Sequence, residues 1–143
     1  MDPAISSAEQ AARDELSAYT LTRGDANFIH QHVVDAFGAQ HVTPQSKPIG
    51  VAFALIGLFL HLERGYTGRQ VQQAHMRLGR RRRQWPAFVP PTHAGDLTVI
   101  EVVQSSPGEE RDQAIEDWCR AVWNAWRNSH AQVAALLSEL GES

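Results

Sequence analysis

The sequence predicts an all-α fold, a single-domain bundle of about five helices with a Pro-rich loop and a short helix before a long C-terminal helix. Apolar residues recur at helical spacing almost throughout the chain, and helix-capping patterns precede several of these segments. No internal repeat or linker divides the 143 residues. A chain of this length, with 43% hydrophobic residues, is expected to form one domain over 1–143 and to bury about 70% of its unfolded surface.

Capping residues set the limits of the first two helices. Ser6 or Ser7 stands at capping-box spacing and opens helix one, which is expected to end near 23–24. Asp25 is expected to cap helix two, which then covers about residues 26–41.

Helices three and four follow from the positions of proline, glycine and threonine. Helix three tolerates Pro48 in its first turn and is expected to end at Gly65. Thr67 and Gln70 form another capping box at the start of helix four. The core side of helix four is expected to carry Val71, Ala74, His75 and Leu78.

The segment 84–106 is different, because prolines and a glycine forbid long regular structure there. Its β-branched stretch after Thr98 is compatible with a short strand, but Thr98 and Glu101 have capping-box spacing and favour a short helix. A final helix is expected over about 106–141, with a kink near Asn128.

Composition and motifs exclude several functions. The start of the chain has no export signal, so a cytoplasmic location is expected. The longest apolar run, 49–62, is shorter than the roughly 20 residues that span a bilayer, so no membrane partner is expected. The single cysteine, Cys119, lies in an apolar helix stripe and is expected to be an inert core residue. The chain lacks the nucleophile elbow, the phosphate loop and the dinucleotide fingerprint.

One basic cluster, Arg77 with Arg80 to Arg83, stands out in a chain of net charge −3. Trp85 and Phe88 follow it and could stack on bases. The acidic total and the lack of a binding motif do not favour nucleic acid, although five arginines could still hold a phosphate or an acidic partner. A solvated helix end explains the cluster better.

Three of the seven histidines lie in one segment of helix two, FIHQHVVDAFGAQH at 28–41. At about 100° per residue, one face of this helix carries four residues: His30, Val34, Phe37 and His41. His32 and Asp35 are expected to point away from that face. His30 and His41 are roughly 16 Å apart along the axis, too far to share a metal ion.

Helix three repeats this spacing with Gly50, Ala54, Gly57 and His61. A short connection makes helices two and three antiparallel neighbours, which places His30 level with His61. We therefore predict that the imidazole nitrogens of His30 and His61 come within about 8 Å of each other, close enough to share a metal ion.

His75 or His130 could supply a third metal ligand, which would suit a zinc or iron site that activates water. Asp35 or Glu63 could orient a ligand or act as a general base. The alternative is that these are core histidines, hydrogen bonded to backbone carbonyls and carboxylates.

Other polar and aromatic residues have two explanations each. An exposed hydrogen-bonded pair explains His32 and Asp35 better than chelation does. Arg64, beside Glu63, could anchor a polar ligand, but a structural ion pair followed by a glycine cap is favoured. The tryptophans of the last helix span more than one helix face, so at least one of Trp118, Trp123 and Trp126 is expected to be partly exposed or at an interface. A homodimer or an aromatic ligand pocket would explain it, with Trp126 as the candidate ligand-binding residue.

The segments FIHQHVVDAFGAQH, LHLERG and WCRAVWNAW resemble a bacterial family of small, uncharacterised helical proteins that has only a domain-of-unknown-function label. The resemblance covers about residues 16–137 and implies a fold family without an established activity. The positions that match the family pattern are His30, Asp35, Gln40, His41, Glu63, Arg64, Trp118, Trp126 and His130.

Two hypotheses follow for function. The first is a metal-dependent helical-bundle protein, a hydrolase or transferase of a small molecule, with zinc or iron bound by His30, His61 and either His75 or His130. The second is a non-catalytic domain that binds a small molecule or a protein and whose histidines are structural.

Overall fold

The computed structural model describes residues 5–81 and 84–142, and in this part of the chain it contains seven α-helices and no strand. The all-α class is therefore confirmed, with more helices than the sequence suggested. The helices are α1 Ser7–Arg23, α2 His30–Gln40, α3 Pro48–Arg64, α4 Gly68–Arg81, α5 Val99–Gln104, α6 Glu109–Ala125 and α7 His130–Glu139.

The capping patterns are confirmed at three helix starts. Ser6 and Glu9 form a reciprocal capping box at α1, and Thr98 and Glu101 form one at α5, which is a helix and not a strand. The Thr67 hydroxyl accepts from the Gln70 N–H at 3.2 Å at the start of α4. These side chains satisfy amide groups that a helix start leaves without a partner.

Helix α2 begins four residues later than the sequence suggested. Asp25 does accept a backbone hydrogen bond, from Ile29 N at 3.0 Å, but the chain turns sharply at Phe28, where φ is 54°. This turn rests on α4, because a Cβ on Gly68 would come closer than 3.0 Å to the Phe28 carbonyl oxygen. Contact with a helix 40 residues away therefore sets the start of α2 at His30.

Helix α3 is the centre of the molecule. Nine of the ten positions from Val51 to Leu60 are buried, Phe53 being the exception, and α3 contacts α2, α4, α6 and α7. Helix α2 lies between α3 and α6, with α1 beside it. Because neighbouring helices cover α3 on several sides, its buried residues are not confined to one face of the helix.

The three tryptophans of α6 and its end are all buried at 2% exposure or less, so the expectation of a partly exposed one is wrong. Each indole N–H donates a hydrogen bond inside the fold: Trp118 to Gln40 Oε1 at 2.9 Å, Trp123 to Glu63 Oε1 at 3.0 Å, and Trp126 to the Ala39 carbonyl at 3.0 Å. The tryptophans therefore give no support to a dimer surface.

The C-terminal helix breaks close to the expected kink. Helix α6 ends at Ala125, a 3-10 turn covers Arg127–Ser129, and α7 follows at once. The Pro-rich loop crosses this junction, where Gln132 Nε2 donates to the Ala87 carbonyl at 3.3 Å and Gly95 lies against the Ala121 carbonyl.

Within the described residues, no helix has the length and apolar character needed to cross a membrane. Of the arginine cluster, Arg82 and Arg83 lie outside the described residues, and Arg77 pairs with Glu142 through an Nε–Oε1 distance of 3.0 Å.

Candidate functional site

The histidine of α2 that meets His61 is His32 and not His30. The two rings are stacked, with centroids 3.6 Å apart and planes inclined by 19°. The expected orientation of α2 is therefore wrong: His32 and Asp35 are 6% and 3% exposed, whereas Val34 is 49% exposed. The helix turns its polar residues inward because α3 and α6 both pack on that side, and its exposed side carries Val34 and Gly38.

His61 has a hydrogen-bond acceptor at each ring nitrogen. Nδ1 lies 2.8 Å from the Tyr66 carbonyl oxygen and Nε2 lies 2.7 Å from Glu116 Oε1. Only the doubly protonated ring donates to both acceptors. Burial lowers the pKa of His61, but the bonds to Glu116 and to the Tyr66 carbonyl outweigh it, and the pKa is raised above the ordinary value.

The partners of His61 respond in opposite ways. Its hydrogen bond lowers the pKa of Glu116, so that this carboxylate stays ionised. Burial, followed by the charge of His61, lowers the pKa of His32 to about 4, so His32 is neutral near pH 7. The pKa values of the two stacked rings are thus shifted in opposite directions, and Glu116 accepts from the ring whose pKa is raised.

His32, His61 and Glu116 form a polar cluster, and Cys119 and Asp35 extend it into the core. The Cys119 thiol donates to the His32 carbonyl at 3.6 Å, and burial raises the pKa of Cys119 well above its usual range. A buried, protonated thiol is a poor nucleophile, as the sequence predicted.

Asp35 is a buried carboxyl group packed on the backbone of α3. Its Oδ1 accepts from Gln31 Nε2 at 3.1 Å, and its Oδ2 has no hydrogen-bond partner among the described residues. Burial raises the pKa of Asp35 well above its usual range, which keeps the group neutral. This buried environment favours a structural role for Asp35. Its catalytic role stays a prediction.

Glu63 and Arg64 lie at the end of α3 without the expected ion pair between them. Glu63 accepts the indole N–H of Trp123, while the Arg64 guanidinium carbon lies 4.7 Å from the centre of the Phe59 ring. Gly65 provides the expected left-handed cap, with φ of 74°. The proposed base and ligand-binding roles of Glu63 and Arg64 stay predictions.

Four of the remaining histidines are each held by a different part of the fold, whereas the side chain of His93 is 71% exposed in the Pro-rich loop. His30 Nδ1 lies 2.9 Å from Thr20 Oγ1, His41 Nδ1 lies 2.9 Å from the Phe37 carbonyl, His75 Nε2 lies 2.9 Å from the Phe53 carbonyl, and His130 Nε2 lies 2.7 Å from the Trp123 carbonyl. Within 5–81 and 84–142, no group of three or more His, Cys, Asp or Glu side chains is arranged to hold a metal ion.

A cleft of about 620 Å³ has Trp126 in its lining and lies where the Pro-rich loop crosses the junction of α6 and α7. The sequence pointed to Trp126 but not to the loop that forms the other wall. Only the prolines and Gly95 could have indicated it. The lining consists of Val89, Pro90, Pro91, Thr92, His93, Gly95, Ala121, Ala125, Trp126, Arg127, Asn128, Ser129 and Gln132.

Comparison with protein families gives one match. The profile of a family of unknown function, DUF5946, covers residues 6–127. The chain belongs to this family. The match contains α1 to α6 with the polar cluster. The part of the cleft that α7 contributes lies beyond the match. No curated protein and no solved structure matches the chain.

Proposed function

We propose that this DUF5946 protein is a non-catalytic small-molecule-binding domain, and that its binding site is the cleft over Trp126. The observation that carries the proposal is the cleft itself. Its volume of about 620 Å³ falls within the range of about 300–1,000 Å³ typical of ligand pockets. Apolar groups such as Trp126 and Pro91 adjoin the polar side chains of Asn128 and Gln132, a combination that orients small ligands.

The contacts of the histidines support a structural role for them. Five histidines bond to a carbonyl, hydroxyl or carboxylate of the protein, and two of these, His41 and His61, use both ring nitrogens in this way. A metal ligand needs a free lone pair on neutral imidazole. The competing hypothesis, a hydrolase or transferase with zinc or iron, therefore requires His61 to lose one ring proton and to exchange one of its two hydrogen bonds for the metal.

A cleft-filling substitution tests the proposal. Ala125 lines the cleft, so Ala125→Phe is expected to occupy it. Ala131 is an exposed alanine of α7 outside the lining, so Ala131→Phe is the matched control. The three proteins are screened against small metabolites by thermal shift. A ligand present at about 100 times its own Kd stabilises the folded protein by about 2.7 kcal/mol, which raises Tm by roughly 5–10 °C.

We expect hits that stabilise the wild type and Ala131→Phe but not Ala125→Phe. Hits that stabilise all three proteins equally, or a screen without hits, would contradict the proposal. Elemental analysis of the same untagged protein provides the second arm. Stoichiometric zinc or iron that is lost in both His30→Ala and His61→Ala would support the metal-dependent alternative instead.

A further inference from the structure

The cleft over Trp126 has a charge unlike that of the whole protein. The chain has a net charge of −3, yet no aspartate or glutamate is among the described residues that line the cleft. Its charged residue is Arg127, and His93 adds an imidazole at the rim. We infer, building on the proposed binding function, that the cleft binds a small organic anion, a carboxylate or phosphate monoester joined to an apolar body.

Arg127 is available to such an anion. It is exposed in the 3-10 turn between α6 and α7, and its Nη1 makes a long hydrogen bond of 3.5 Å to the Asn124 carbonyl. Within the described residues it has no ion pair, whereas Arg23 pairs with Asp112 and Arg77 pairs with Glu142. A guanidinium offers paired N–H donors that match a carboxylate or phosphate group.

The neutral polar side chains of the lining complement this cation. Asn128 and Gln132 carry amide N–H donors, and Thr92 and Ser129 carry hydroxyl donors. Gln132 already donates one hydrogen bond to the Ala87 carbonyl, which fixes the loop across the cleft. The nearest acid to His93 is Asp96, at 3.7 Å, and its side chain points into solvent with 98% exposure.

Other lining residues suit an apolar ligand body. Pro90 and Pro91 belong to the loop wall, and Ala121, Ala125 and Trp126 belong to the helix wall. Small alanine side chains leave the space that a ring or a short alkyl chain would fill. The lining therefore combines a cation with apolar groups, as an amphiphilic anion requires.

Matched ligands test the inference in the full-length protein. A panel of aryl and alkyl carboxylates is compared with the phosphate monoesters and the primary amides that carry the same bodies, using calorimetric titration. Arg127→Gln removes the cation, and Arg80→Gln removes an exposed arginine of α4 that does not line the cleft.

We expect carboxylates or phosphate monoesters to bind the wild type at least about tenfold more tightly than the amides, with that preference lost in Arg127→Gln and kept in Arg80→Gln. Whichever anion class binds more tightly identifies the head group. Amides that bind as well as the anions, and in a manner that Ala125→Phe abolishes, would overturn the inference while leaving the proposed cleft function intact. Anions that bind Arg127→Gln as tightly as the wild type, or that do not bind at all, would also overturn it.

Discussion

At the scale of single residues, the most unusual feature is the pair of stacked histidines between α2 and α3. The pKa of His32 is lowered to about 4 and that of His61 is raised, and the difference arises from their surroundings. His61 has acceptors at both nitrogens, whereas His32 is buried and has the His61 ring against its face. Two identical side chains in contact therefore have pKa values that are shifted in opposite directions.

The ion pair between His61 and Glu116 makes stability depend on pH in a defined direction. Because the pKa of His61 is raised above 6.5, its contribution is full below that value and is lost as pH rises through the folded pKa. Because the pKa of Glu116 is lowered from 4.5, its contribution is full above 4.5 and is lost as pH falls through the folded pKa. The pair therefore stabilises most between these two values.

We expect Glu116→Gln to reduce the free energy of unfolding by about 1 kcal/mol near pH 5.5, since the bond is charged but partly exposed to solvent. The loss is expected to shrink as pH rises to 9. Denaturant titrations across this pH range measure it, with the exposed Asp117→Asn on the same helix as control. A loss that stays constant from pH 5.5 to pH 9 would disprove the assigned charge states.

At the scale of helices, the contact between α2 and α3 depends on one glycine. Asp35 packs so closely on Gly57 that a Cβ there would come within 3.0 Å of its carboxyl oxygen. Such a close approach needs a residue without a side chain, and the neighbouring Asp35 is buried and cannot move into solvent. The polar cluster and the helix spacing are therefore coupled at this point.

Gly57→Ala is expected to destabilise the protein by about 1–3 kcal/mol through overpacking. Gly50→Ala is the matched control on α3, since a Cβ there meets nothing within 4 Å, and we expect it to stabilise by about 0.5–1 kcal/mol. Denaturant unfolding of the single variants, Asp35→Ala and the double variant completes a cycle. Strictly additive losses for Gly57→Ala and Asp35→Ala would contradict the contact.

The sequence predicted helix starts better than helix orientation. The capping boxes at Ser6, Thr67 and Thr98 depend on neighbours three residues away, so local pattern was sufficient. The start of α2 and its inward side depend on contacts with α4, α3 and α6, which no local pattern reports. For that reason His32 replaced His30 as the partner of His61.

At the scale of the whole molecule, two regions are candidates for the functional site. The polar cluster around His61 lies where three helices meet, and its hydrogen bonds are made within the protein. The cleft over Trp126 is open and is formed by segments that are far apart in sequence, which explains why sequence alone identified only its tryptophan. We therefore propose the cleft, and not the polar cluster, as the functional site.

Backbone N–H chemical shifts of isotope-labelled protein, titrated with the best ligand of the screen, locate the binding site. We expect the largest changes at the backbone of 126–132, with little change at His32, His61 and Cys119. Changes centred on those three residues instead would show that the ligand binds at the polar cluster and not in the cleft.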